Sequence, residues 1–416
     1  MVKISIIIPV YNDSVYVTQC IQSVLNQTLK EIEIVCIDDG STDDSARLIE
    51  RMMQGEERIV LLQQRNQGPG IARNEGIRKA KGKYVAFLDA DDYYLETEAL
   101  EKMYCACEEN HVAVCACLRW CINGRIVKTE KLESLEENQT ERQIFSYMDF
   151  QMDYNYINYL FLRDFLVERE LWFPPYYRFE DPLFLVHVLY SAKQFTVVNA
   201  CLYYYRFPVV ETRFELYSSI QLLQGLIDNL LFARKHKLTL LYKTTLWRIE
   251  YEYADVILKN MVPNDSNILK LLIEINHIVN SENEKKEYII RPLRKLMLNQ
   301  CEKNLLRKIR GQKGIALYGA GELGRAFYIY LRKNALGDRV SCFLVSDIKG
   351  NDNYVENVPV HEAGEGRCGE DITVYVTADG KYQKEIEEYL KEKGFKNYEL
   401  VDDELLHIIA DSSIIS

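Results

Sequence analysis

The run Gly82-Lys83-Tyr84-Val85-Ala86-Phe87-Leu88-Asp89-Ala90-Asp91-Asp92 joins a stretch of apolar and aromatic residues directly to a carboxylate cluster. A short apolar run that ends so abruptly in acids reads as a buried strand whose carboxyl end opens onto a polar site. The same unit recurs towards the N-terminus. Ile4 to Ile8 reads as a strand running into Pro9-Val10-Tyr11-Asn12, and Ile32 to Ile37 as another running into Asp38-Asp39-Gly40-Ser41-Thr42-Asp43. Ile59 to Leu62 is a third, and Tyr84 to Leu88 makes the fourth. Between them Val17, Ile21, Val24 and Leu25, then Leu48, Ile49, Met52 and Met53, repeat at the three-to-four spacing of helices, and Gly68-Pro69-Gly70 opens one more. Alternating strands and helices predict an α/β fold on a mainly parallel sheet, where ligands bind beyond the carboxyl ends of the strands.

The whole chain has 416 residues, 48% hydrophobic and 27% charged, with only 20 Gly and 9 Pro. That is a multi-domain globular composition and excludes collagen-like or largely disordered chains. A formal charge of -11 is the wrong sign for a phosphate-backbone binder, so nucleic acid is excluded as a partner. No apolar run approaches the roughly 18 residues that cross a bilayer, and no basic leader precedes the first strand, which Pro9 is read as ending. The expected location is cytoplasmic. Five of the 11 cysteines crowd between Cys105 and Cys121, which raises a zinc site. Cys115 and Cys117 share one strand face, however, and no second C-x-x-C completes a four-ligand set, so they read better as small buried apolar groups.

The first strand-to-helix turn lacks G-x-G-x-x-G, which disfavours hydride transfer in this half. Clustered carboxylates repel one another unless a cation sits among them, and oxygen-only ligands favour Mg2+ or Mn2+. Helix capping and turn formation account for Asp43 and Asp44 and partly for Asp92, but poorly for Asp39 and Asp91.

These residues carry a resemblance. Ser5 to Asn12, Ser23-Val24-Leu25-Asn26-Gln27-Thr28, Asp38 to Asp43, Gly70-Ile71-Ala72-Arg73-Asn74-Glu75-Gly76 and Gly82 to Asp92 together resemble the GT-A domain of the family 2 glycosyltransferases. These are usually inverting enzymes that use nucleotide-diphosphate sugars, and the likeness covers roughly the first 210 residues. It implies that Pro9 and Tyr11 border the base, that Asp39 accepts a hydrogen bond from it and that Arg73 lies near the nucleotide. Asp91 would hold the metal, and Asp89, with Ala90 between them, would face the ribose or support the metal shell. Such groups suit uracil, although guanine or thymine use similar ones. Phe179-Glu180-Asp181-Pro182 resembles the family's acidic pair at the start of a helix, which implies Asp181 as general base, with Glu180 as the second choice and helix capping at Pro182 as the plain alternative. Cys201 to Arg206 resembles the strand that closes the domain, with Arg206 either ordering phosphates or merely sitting on an edge. The aromatic segment 140–179 is where a saccharide or lipid-linked acceptor is expected.

Residues 214–310 read as helices, and residues 291–313 combine a row of basic residues with Leu293, Met297, Cys301, Leu305 and Ile309 along one face. That row is a candidate peripheral contact with the inner face of a bacterial membrane, the alternative being a solvated face packed on the next domain. From Ile315 the pattern restarts: a strand, then Gly319-Ala320-Gly321-Glu322-Leu323-Gly324, a helix, and a strand from Val340 that leads to Asp347. This is G-x-G-x-x-G between strand and helix with an acid a little over twenty residues on, and it resembles the Rossmann-like domains appended to bacterial polysaccharide-biosynthesis proteins. Three domains are therefore expected: a GT-A domain over 1–213, helices over 214–310, and a nucleotide-binding or interaction domain over 311–416. The rival to a transferase of surface polysaccharide assembly is a catalytically weak sugar-nucleotide-binding scaffold whose tail binds NAD(P) or recruits partners.

Overall fold

A computed structural model describes residues 1–128, 144–206, 216–259, 266–281, 288–364 and 372–414. The first part of the expected acceptor segment, residues 140–143, lies outside them. The chain divides into two compact units, Met1–Pro292 and Leu293–Ser416.

The first unit opens with the alternation read from the sequence: β1 (Ile4–Val10), α1 (Val17–Leu25), β2 (Ile32–Asp38), α2 (Ser45–Met53), β3 (Ile59–Gln63), α3 (Pro69–Lys79) and β4 (Tyr84–Phe87). Strands β3, β2, β1 and β4 lie side by side and parallel. Ile4, Ile6, Ile7 and Ile8 are fully buried, because helices cover both faces and successive residues alternate between them. Pro9 does not end β1: it pairs opposite Ile37, and the strand continues to Val10. Pairing with β4 stops at Ile7 and Phe87, so β1 has one neighbour by then and a missing N–H costs little.

The sheet then changes direction. Short β5 (Tyr93–Tyr94) and α4 (Ala99–Asn110) lead to β6 (Val114–Ile122), β7 (Arg125–Lys128), β8 (Ile144–Ser146), α5 (Tyr147–Phe150), β9 (Tyr159–Leu162), α6 (Arg163–Glu168), α7 (Glu180–Ala192) and β10 (Gln194–Tyr205). The strand order is β3-β2-β1-β4-β9-β6-β10-β5, with β9 antiparallel to both β4 and β6. Cys107, Cys115 and Cys117 are buried where α4 covers β6, with the Cys117 sulfur 3.4 Å from that of Met103. They fill the core as small apolar groups.

Helices α8 (Leu216–Lys235), α9 (Thr239–Trp247), α10 (Ala254–Lys259) and α11 (Ser266–Asn280) fall within the first compact unit. Polar groups stitch them down. Gln151 accepts from the backbone N–H of Leu240 and Leu241, Tyr176 donates to Asp228 (2.8 Å), and Arg248 forms a buried ion pair with Asp153. Period alone shows that these segments are helical; it does not show which surface covers their apolar stripes.

The second unit contains most of α12 (Arg291–Arg310), then β11 (Ile315–Tyr318), α13 (Glu322–Lys333), β12 (Val340–Val345), β13 (Tyr354–Val355), β14 (Val358–Glu362), β15 (Thr373–Val376), α14 (Gly380–Glu392), β16 (Tyr398–Leu400) and α15 (Asp403–Ile414). Its parallel strands run in the order β14-β12-β11-β15-β16, so the connections reverse direction between β11 and β15. Gly319 has φ +115°, and a Cβ on Gly324 would lie 1.8 Å from the Gly319 carbonyl oxygen, so helix and turn meet without side chains between them. The expected stripe on α12 is partly corrected: Leu293, Leu298 and Ile309 are buried, whereas Met297 and Cys301 are exposed. Arg294 and Lys308 pair with Glu404 and Glu399 of the same unit. The helix uses its apolar side, and two cations of its basic row, on its own domain.

Candidate functional site

All seven residues expected at the donor, Pro9, Tyr11, Asp39, Arg73, Asp89, Ala90 and Asp91, line one cavity of about 390 Å3 at the carboxyl ends of β1, β2 and β4. Glu180 and Asp181 line a second cavity of about 490 Å3 that shares Pro69, Arg73, Asp89 and Tyr177 with the first. Nearly a hundred residues separate the acids after β4 from those that begin α7, and the fold makes them neighbours.

Arg73 joins the two. Its Nη1 donates to Glu180 Oε1 (2.9 Å) and its Nη2 to Asp89 Oδ1 (2.8 Å), while the guanidinium lies over the rings of Tyr156 (4.9 Å) and Phe173 (5.4 Å). The side chain is only 7% exposed, and the adjacent carboxylates hold it firmly in the charged form. Its Nε is buried without a partner among the described residues. Asp89 Oδ1 also accepts from the Tyr156 hydroxyl (3.0 Å), so one oxygen of this acid is committed to the protein.

Asp91 differs. Burial, together with repulsion from Asp89 and Asp13, pushes its carboxyl up to about 6. Asp89 and Asp91 line the cavity in mutual repulsion, which a cation would relieve, but among the described residues no group of three or more metal-ligating side chains converges there. Asp92 is a structural acid: it is fully buried and accepts from the Tyr203 hydroxyl (2.8 Å) and the Arg206 backbone N–H (2.6 Å). Arg206 donates from Nη1 to the Asp91 carbonyl and from Nη2 to Gln19, and stacks on Tyr16 and Tyr93. The closing strand therefore fixes the loop that carries Asp91.

Asp39 is buried, and its two oxygens accept from Gln64 Nε2 (2.7 Å), Gln67 N (2.9 Å) and Gly68 N (2.8 Å). Three of roughly four acceptor sites are thus used in shaping the turn before α3, which leaves room for one donor from a ligand. Gly68, at φ +91°, lies against the Tyr177 ring, where a Cβ would come within 3.0 Å. Asp43 caps the neighbouring turn through Ser45 and Ser14, as the capping reading expects.

Helix α7 begins at Glu180 rather than Pro182, following Phe179 at φ +68°. Glu180 is engaged by Arg73 and is the poorer base. Asp181 has no ion pair among the described residues, and burial with repulsion from Glu180 holds its carboxyl well above the ordinary aspartate range. Asp13, Asn66 and Tyr177 line the first cavity without having been singled out in the sequence. Asp13 was legible as the continuation of the first strand end, while Tyr177 sits in a loop with no periodicity to mark it.

Replacing Arg73 by Met leaves Asp89 and Glu180 facing each other in a buried setting. The expected loss is about 3–5 kcal/mol in urea unfolding, partly restored by adding Glu180→Gln. A loss no larger than that of an exposed pair, about 1 kcal/mol, would show that the pair is solvent-screened.

The glycosyl transferase family 2 matches residues 5–170. The chain is 34% identical over 208 residues to a poly(ribitol-phosphate) beta-glucosyltransferase of Bacillus spizizenii, covering 49% of this chain and 32% of that one. It is 29% identical to the putative glycosyltransferase EpsH of Bacillus subtilis, covering 49% of this chain and 60% of that one. The chain thus spans less than two thirds of these relatives. The crystal structure of S. aureus TarS 1–349 in complex with UDP superposes with a TM-score of 0.53 at 20% identity, covering 67% of this chain and 82% of that one. The sequence match and the superposition agree: residues 5–170 match glycosyl transferase family 2, in a domain of the GT-A fold.

Proposed function

We propose that this chain is an inverting, metal-dependent glycosyltransferase that moves a sugar from a nucleotide-diphosphate donor to a saccharide or lipid-linked acceptor in bacterial surface polysaccharide assembly. The observation that carries the reading is Asp181. It is a carboxylate without an ion pair among the described residues, lining a cavity that shares Arg73 and Asp89 with the donor cavity. A UDP-sugar is the first choice of donor, supported by the fold shared with the UDP complex of TarS and by the single acceptor position left on Asp39.

In this reading Tyr11, exposed at the cavity edge, lies against the base, and Asp39 takes its ring N–H. Asp91, with the uncommitted oxygen of Asp89, would hold Mn2+ or Mg2+, which when bound supplies positive charge for the departing diphosphate. Asp181 accepts the proton of the acceptor hydroxyl as the oxygen bonds to the anomeric carbon on the face opposite the diphosphate, and the sugar–phosphate bond breaks. Arg73 holds Glu180 and Asp89 in place beside it, so that the base is the carboxylate left free.

Asp181→Asn is expected to lower kcat by roughly 100-fold or more with donor affinity nearly unchanged. Because Asp181 works ionised and its carboxyl sits above the usual range, kcat/KM of the native enzyme is expected to fall as pH drops through that raised value. An acid limb near the ordinary aspartate range would remove Asp181 from the role.

Asp91→Asn is expected to abolish the cation-dependent part of nucleotide binding without lowering the melting temperature. Calorimetry with UDP, with and without Mn2+, measures this; equal Mn2+ dependence in the variant removes Asp91 from the site.

The tail is proposed as a separate nucleotide-binding or interaction module. A Cβ on Gly321 would meet nothing within 4 Å, which leaves open space at the N-terminus of α13, and the strand order reverses direction beside it. Asp347, past the end of β12, accepts from the backbone of Lys349 and shapes its own turn. Calorimetry of the full chain with NAD and NADP is expected to give heat that Gly321→Val abolishes while UDP binding persists. No heat in the native chain leaves the tail as an interaction module.

A further inference from the structure

Beside Asp181 the second cavity is walled by aromatic residues from two parts of the chain. Trp120, Tyr154 and Tyr156 come from the sheet domain, and Tyr253 with Leu222 from the helices that follow it. Tyr253 is placed by a single π-helical turn, Arg248–Glu252, closed by its N–H donating to the Arg248 carbonyl (2.8 Å). An inserted residue of this kind changes which side chain the helix presents to the cavity, and such turns concentrate at functional sites.

The same turn carries the groups that fix the tyrosines. Arg248 forms a buried, two-pronged ion pair with Asp153, and its guanidinium lies 3.8 Å from the Tyr154 ring centroid. The Tyr154 hydroxyl donates to Glu252 Oε1 (3.2 Å) and meets the Tyr253 hydroxyl at 2.8 Å. With the Tyr154 proton directed to Glu252, Tyr253 is the donor across that contact and keeps acceptor lone pairs in reserve. Burial pushes both phenols well above their usual range, so they remain neutral. Tyr154 and Tyr156 line the same cavity as Asp181.

The charge of the cavity narrows what fits. Asp89, Glu180 and Asp181 face two cations, Arg73 and Arg178, and Arg73 is already engaged by two of those acids. With Asp181 in the ionised form that accepts the proton, three acids face two cations, and a phosphate or carboxylate on the reacting unit would meet a net like charge. Fixed ring faces and phenol hydroxyls instead suit the apolar faces and hydroxyl edges of a neutral polyhydroxyl unit.

We infer that the Tyr154–Tyr253 pair, braced by Arg248 and Asp153, is the acceptor-recognition wall of this site and selects an uncharged saccharide or polyol unit for presentation to Asp181. The inference rests on the transferase reading for the role of Asp181, while the binding of such a unit is a property of the cavity itself. The helices after residue 215 thereby act as the part of the protein that determines acceptor specificity.

The test uses saturation-transfer NMR on the full chain with methyl hexosides, N-acetylglucosamine and ribitol, and with glucose 6-phosphate and ribitol 5-phosphate as anionic counterparts. At least one neutral compound is expected to bind more tightly than its phosphorylated counterpart. Tyr253→Ala is expected to weaken that compound at least about 10-fold, and Tyr253→Phe less, because the ring remains. UDP affinity, measured by calorimetry, stays unchanged in both variants. The inference is overturned if no neutral compound binds, if the phosphates bind better, or if Tyr253→Ala binds as the native chain does. A native chain that binds neutral compounds but gives no heat with UDP, GDP or TDP, with Mn2+ present, sinks the transferase reading and leaves the wall standing. Should Tyr253→Ala fail to fold, Tyr253→Phe with Leu222→Ala tests the same wall while keeping the brace.

Discussion

A guanidinium buried among carboxylates organises this molecule. Arg73 has almost no access to water, so its charge is tolerable only because Asp89 and Glu180 come to it from two sides and two aromatic rings cover it. Asp89 is the residue after the fourth strand's apolar run, and Glu180 is the first residue of α7. The single cation therefore locks the strand end that carries Asp89 and Asp91 to the helix that carries Asp181. It also divides the labour among similar side chains: Glu180 is neutralised, Asp89 is half committed, and Asp91 and Asp181 are left without ion pairs among the described residues. Identical functional groups acquire different roles from their partners and from their degree of burial.

A second layer of constraint comes from the helices that follow the sheet domain. Gln221 accepts from the Tyr177 backbone N–H and Asp228 from the Tyr176 hydroxyl, so α8 fixes the loop that walls both cavities. Phe179, held in the left-handed region, turns that loop into α7 and presents Glu180 and Asp181 at the helix N-terminus. The backbone strain at this point lies where the chain must deliver two acids at once, a common place for strain to be retained. The loop carrying Asp91 is braced comparably by Asp92, Tyr203 and Arg206.

The C-terminal unit repeats the logic of the first strand-to-helix turn with different means. Where the first domain places acids at its strand ends, this one places glycines, and it leaves the space before α13 open. Its basic helix was expected either to meet a membrane or to pack on the next domain. Burial of Leu298 and Ile309, with Arg294 and Lys308 engaged by acids of the same unit, accounts for its amphipathic pattern by packing.

The sequence by itself determined the strand-helix alternation, the strand-end residues from Pro9 to Asp91 and the glycine turn of the tail, because these depend on local period and on residues adjacent in the chain. It also marked Glu180 and Asp181 as a pair, though without ranking them by anything but resemblance. Only the tertiary structure decided that Arg73 belongs to Glu180 as much as to Asp89, that Asp39 is largely occupied by its own turn, and that helices read as a separate middle region complete the wall of the cavity that Asp181 lines. Each of these depends on which distant surfaces meet. Apolar period reports that a face will be buried, and an isolated charge reports that a partner is needed; neither names the partner, which is set by packing between residues tens to more than a hundred positions apart.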